Sequence, residues 1–171
     1  MSTSTGALPV GYDPWRHAAR ISAQLAAWGL ASVALGAALL LMGPLAWLPA
    51  EVVPVARGFG IQCLVWGAID GAIALLGMRD LRRRRAAGEH TEAGGSHAFA
   101  ARLRKLLRLN AGLDVVYVLA GLALVLLWRT PEGLGHGLGV MVQGGFLLAF
   151  DGWHGWLAPQ RRSASASLPG R

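Results

Sequence analysis

The chain has 171 residues, 54% of them hydrophobic and 15% charged, with a formal net charge of +7. That length suits one domain. Its apolar residues are bunched into runs too long for the helices of a water-soluble core, which excludes a soluble globular fold. The positive charge invites a nucleic-acid reading, but no aromatic residues interleave with the basic ones and no recognition motif is present, so nucleic acid is not an expected partner.

Residues 1–20 read as a cytoplasmic N-terminal segment whose end, Tyr12-Asp13-Pro14-Trp15-Arg16, forms an interfacial turn. The first apolar run, about 21–42, exceeds the roughly 18 residues that mark a membrane span. It is too long for a cleavable leader and no small-residue cleavage site follows it, so it is expected to remain as an anchor. It carries a polar stripe of Arg20, Gln24, Trp28 and Ser32. The second span, about 58–78, holds Cys63, the one cysteine, so no intrachain disulfide can form. Cys63 reads as a small buried apolar residue. Residues 79–108 form a basic loop with a Gly-rich middle at 88–96. The third span covers about 109–128 and the fourth about 138–157, and a Ser- and Ala-rich tail, 158–171, is expected to be disordered. In lipid the backbone must satisfy its own hydrogen bonds, so all four spans must be helices. Frequent glycine within them favours close packing, for instance at Gly67 and Gly71.

Charge placement orients the chain. Fourteen of the 16 Lys and Arg lie before the first span, between the second and third, or after the fourth, leaving Arg57 and Arg129 for the other two loops. Positive residues stay on the cytoplasmic side during insertion, so both termini and the basic loop are expected there. The loop would also meet anionic lipid headgroups, or an acidic partner. Trp15, Trp47, Trp128, Trp153 and Trp156 stand near span ends, as an aromatic belt would.

The second and fourth spans share a pattern. Gly58, Gln62 and Asp70 in one match Gly139, Gln143 and Asp151 in the other at identical spacing. The expected fold is therefore an all-α integral membrane four-helix bundle, built as two parallel helical hairpins related by a pseudo-two-fold axis along the membrane normal.

Three aspartates, Asp70, Asp114 and Asp151, lie inside spans. An ionisable side chain in the bilayer costs about 2.5–3.5 kcal/mol even on the lenient insertion scale. Counting from the span ends at ~1.5 Å per residue places all three roughly 8–12 Å inside the cytoplasmic boundary. Helical spacing adds Asn110 and Tyr117 beside Asp114, Gln143 and His154 beside Asp151, and Trp66 and Ile73 beside Asp70. Three such carboxylates cannot all stay charged alone: they hold a proton or a cation, with Arg20 as a candidate from within the chain, or they hydrogen-bond to neighbouring helices and set register. Asp151 and His154, three residues apart, form a weak metal pair with no second such motif. His136 is given no role.

No P-loop, nucleophile elbow, H-E-x-x-H or C-x-x-C occurs. No catalytic residue is assigned, and neither a cofactor nor a metal can be read from the sequence. The strings Trp66-Gly-Ala-Ile-Asp70, Leu109-Asn-Ala-Gly-Leu-Asp114-Val-Val-Tyr117 and Gln143-Gly-Gly-Phe-Leu-Leu-Ala-Phe-Asp151 resemble a bacterial membrane family carried as a domain of unknown function. That resemblance implies the four-helix fold and a bacterial plasma membrane, and brings no activity. The expected function is binding or moving a proton, cation or small polar ligand at Asp70, Asp114, Asp151, Asn110, Tyr117, Gln143 and His154, in a bundle thin enough to dimerise. The alternatives are an accessory subunit of a membrane complex and a membrane-embedded enzyme acting on a lipid-like substrate, the weakest reading for want of a nucleophile.

Overall fold

The computed structural model describes residues 8–9, 11–41, 49–91 and 95–158. The expectations for Met42, Trp47, residues 1–7 and nearly all of the tail fall outside the described residues. Within them the chain forms four helices and no strand: α1 (Pro14–Leu41), α2 (Val52–Ala86), α3 (Gly95–Leu127) and α4 (Pro131–Leu157). Each is long and apolar enough to cross a bilayer, and the chain is a multi-pass membrane protein.

The helices α2 and α3 have 35 and 33 residues. At ~1.5 Å per residue each is about 50 Å long, against roughly 30 Å of hydrocarbon. Much of the basic segment 79–108, expected as a loop, is therefore helix. Arg, Ala and Leu are strong helix formers, and nothing in the run Arg82–Arg85 breaks the backbone ladder. What does end α2 is Gly88, at φ +80. Its N–H donates to the Arg85 carbonyl and that of Glu89 to the Arg84 carbonyl, which closes the last turn through a left-handed glycine. At the opposite end of the bundle Thr130 Oγ1 accepts from the Gly133 N–H at 3.0 Å, and Pro131 occupies the first turn where a missing N–H costs nothing.

Two hairpins result. α1 packs on α2, α3 packs on α4, and the pairs are joined mainly along α2 and α4, with slight contact between α1 and α3. Glycine sets these approaches. A Cβ on Gly29 would fall 2.7 Å from the Gly67 carbonyl oxygen, and one on Gly121 would fall 2.8 Å from that of Gly137. Between hairpins, Gly58 faces Gly135 and His136, while Gly139 faces Gln62. The matched glycines of the repeat are thus not level. Gly58 meets Gly135 rather than Gly139, a shift of one turn, about 6 Å.

Gly67→Leu should therefore lower stability by about 1–3 kcal/mol through overpacking against α1 backbone. Gly71→Ala, whose Cβ would meet nothing within 4 Å, should be neutral or stabilising. Thermal unfolding of the detergent-solubilised protein checks the pair. Equal melting temperatures for the two variants would contradict the backbone contact.

Candidate functional site

The two hairpins leave two further seams, α1 against α4 and α2 against α3. They are built differently. The α1–α4 seam is filled. Trp28 stacks on Phe146 at 3.8 Å between centroids, Phe146 on Phe150 at 5.5 Å, and Phe150 meets His154 edge-on at 4.6 Å. Trp28 Nε1 donates to Gln143 Oε1 at 2.8 Å, and Gln143 Nε2 donates to Ser32 Oγ at 3.2 Å, with Cys63 Sγ at 3.9 Å. Every polar atom of the Gln143 amide is thereby engaged.

Nearer the basic end a directed chain of hydrogen bonds joins the same helices. Tyr12 OH meets His17 Nδ1 at 3.0 Å, His17 Nε2 meets His154 Nδ1 at 2.9 Å, and His154 Nε2 meets Gln24 Oε1 at 3.0 Å. Burial, then the nearby Asp13, push the Tyr12 phenol above its usual value against an opposing Arg104, so Tyr12 stays protonated and donates. Because Gln24 Oε1 can only accept, each imidazole is neutral and donates through Nε2. Arg20 stands near this pair rather than among the aspartates.

The α2–α3 seam is open. A cavity of about 630 Å³ runs along it. From Trp66 to Arg84 on α2 it extends about 27 Å at ~1.5 Å per residue. Asp70, Asp114, Asp151, Asn110 and Tyr117 line it, while Leu103, Leu106, Leu113, Ile69 and Ile73 supply apolar wall. At the end away from the basic segments Trp66 and Tyr117 meet edge-on at 4.8 Å. At the basic end Trp15, 4% exposed, stacks on Phe99 at 4.1 Å and donates from Nε1 to Ser96 Oγ, tying the start of α1 to α3. Asp70 and Asp114 are 1% and 3% exposed, and Oδ2 of each is buried with no hydrogen-bond partner. Asp151, 7% exposed, differs in having no buried oxygen left without a partner.

Five of the seven residues singled out in the sequence therefore share one cavity. Gln143 and His154 do not, a correction to the single polar stripe read along α4. The helical period explains the split: at 3.6 residues per turn Gln143 and His154 point within about 20° of each other, and Asp151 lies about 60–80° away. Gln143 and His154 face α1, and Asp151 faces the acids of α2 and α3. Arg20 as an internal counter-ion is likewise corrected, since its backbone position on α1 puts it beside His17 and His154. His17, half-buried, is a member of this chain, and its seven-residue spacing from Gln24 puts both on one face of α1. His136, given no role, stacks on Trp128 at 5.3 Å and bonds to Gln62 at 2.9 Å. The described residues contain no group of three or more His, Cys, Asp or Glu that could hold a metal ion.

Residues 24–152 match a family of unknown function (DUF6992). The chain belongs to that family. The matched span takes in Gln24, Trp28, Gln143 and all three cavity aspartates, and it leaves out His17 and His154. No curated protein and no solved structure matches the chain.

If Gln143 clamps the α1–α4 seam, Gln143→Leu should cost about 1–2 kcal/mol, because the Trp28 N–H and Ser32 hydroxyl lose their partner in an apolar setting. The expected signature is a lower melting temperature with a shift in Trp emission. An unaltered melting curve would show that Gln143 holds nothing.

Proposed function

We propose that this is a bacterial plasma-membrane protein, its termini and basic segment in the cytoplasm, that binds a partly apolar ligand through a cationic or hydrogen-bond-donating group held by Asp70, Asp114 and Asp151. One observation carries the reading: Asp70 and Asp114 line an apolar cavity, and each buries a carboxylate oxygen, Oδ2, with no hydrogen-bond partner. Burying a carboxylate without partners costs several kcal/mol, and a ligand donor removes that cost. Purely structural polar groups would be expected to hydrogen-bond across the helices, as the Gln143 amide does to Trp28 and Ser32.

The surroundings favour binding over conduction. The walls between the acids and the basic end are mostly Leu, Ile and Ala, which hold no file of water. Tyr117 and Trp66 cover the far end. Ile69, Ile73, Leu106 and Leu113 are 43–55% exposed along the seam, so a ligand dissolved in the acyl chains has a lateral way in. The accessory-subunit reading gains nothing comparable, since a scaffold does not need a cavity.

Two measurements test this. A long-chain alkylamine should raise the melting temperature of the purified protein and bind at least tenfold tighter to the wild type than to the Asp70→Asn/Asp114→Asn double variant, a difference of about 1.4 kcal/mol. Without ligand the double variant should melt at or above the wild-type temperature, because its amides shed the penalty of unpaired carboxylates. Equal amine affinity in both proteins refutes the acid site. For orientation, single cysteines at Glu89 and at Arg129 in a Cys63→Ser background should label from opposite sides of sealed vesicles, Glu89 from the cytoplasmic side. Labelling of both from one side overturns the topology.

A further inference from the structure

The cavity changes character along its length. At the basic end it is lined by Asp80, Arg84 and Arg102. Arg84 is already neutralised, with Nε 2.7 Å from Asp80 and Nη1 3.1 Å from Glu89. Arg102 has no hydrogen-bond or ion-pair partner among the described residues. Between this end and the acids the wall is mainly apolar, made of Leu103, Leu106 and Leu107 on α3 and Ile73, Ala74 and Leu81 on α2, with Ser22 of α1 beside Gly77. Then come Asn110, Asp114 and Asp70. Read from the mouth inward, the lining runs cationic, apolar, acidic. Asn110 and Asp114 follow Arg102 by eight and twelve residues on one helix, about 12–18 Å at ~1.5 Å per residue.

We propose that the natural occupant is an anionic amphiphile with a hydrogen-bond donor part-way along its chain. This rests on the acids being a ligand site, and it adds the identity of the ligand. The anionic head pairs with the Arg102 guanidinium at the mouth, where a planar fork of donors suits a carboxylate or phosphate. The methylenes lie against Leu103, Leu106, Leu107 and Ile73. A hydroxyl or amine then reaches the carboxyl groups that Asp70 and Asp114 bring to the cavity wall. An unsubstituted acyl chain would set methylene against those carboxyl groups and leave them unpaired, which is why an ordinary membrane lipid is a poor fit. An extended covalent chain advances roughly 1.2 Å per bond, so the donor belongs about 10–15 bonds from the head. The source is the lipid phase, since the seam is open on its apolar side and the charged mouth sits at the level where the helices leave the apolar segment.

The probes are stearate, mid-chain hydroxystearate, and the corresponding uncharged mid-chain diol, measured by competition on the full-length purified protein. Wild type should bind hydroxystearate at least tenfold tighter than stearate. Arg102→Gln, on an exposed part of α3 where folding is not at risk, should weaken hydroxystearate about tenfold and leave the diol unchanged. Asp114→Leu should erase the preference for the hydroxylated chain, and its melting curve and an Asp70→Leu companion guard against a folding defect. Equal affinity for stearate and hydroxystearate, or indifference of hydroxystearate to Arg102→Gln, overturns the proposal. If the diol and a long-chain amine still bind through the aspartates while Arg102→Gln changes nothing, this inference fails and the acid site stands. If no donor-bearing amphiphile binds at all, the acid site fails with it.

Discussion

Backbone-to-backbone contact at glycine organises this bundle. In a bilayer the lipid tails are as apolar as leucine, so helices gain little by hiding apolar side chains from them, and close van der Waals approach becomes the main source of affinity. Gly29 against Gly67, Gly36 against Gly60, Gly121 against Gly137 and Gly58 against Gly135 let α1 meet α2, α3 meet α4, and α2 meet α4 without a Cβ between them. Because α2 and α4 form the central contact, α1 and α3 are carried to its flanks. The α2–α3 seam has no such glycine pair, and there the cavity opens.

Repetition in the sequence and asymmetry in the structure coexist for a simple reason. The hairpins share a layout, but the residues facing the two outer seams differ. Trp28 on α1 has bulk enough to stack on Phe146 and a donor with which to reach Gln143, and together they plug one seam. On the other side α3 presents Asn110, Asp114 and Tyr117, which leave a void beside Asp70. The one-turn slip between matched glycines adds to the difference, since it brings Gln62 opposite Gly139 and gives it His136 as a partner.

Two polar constructions of opposite kind follow. Along the filled seam, Gln143 and the chain from Tyr12 to Gln24 are paired throughout, the arrangement expected where polar side chains hold helices together in lipid. Along the open seam, carboxylate oxygens are buried unpaired. Among the described residues, the buried side-chain atoms left without a hydrogen-bond partner thus belong to Asp70 and Asp114, which line one cavity.

Much of the architecture was legible in the residues themselves. Span length and hydropathy decide helix number, and three aspartates at similar distances from the span ends are a statement about depth, because helical rise converts residue count into height. Rotation about the axis is less well determined. A stripe such as Gln143, Leu147, Asp151 and His154 covers an arc wide enough to face two neighbours, and which neighbour each residue meets depends on helices elsewhere in the chain. Only the tertiary structure sent Asp151 toward Asp114 and His154 toward His17 and Gln24, and only it set Arg102 at the mouth of the same cavity. The reason is that pairings and voids arise from glycine contacts between segments distant in sequence, whose register no local pattern records.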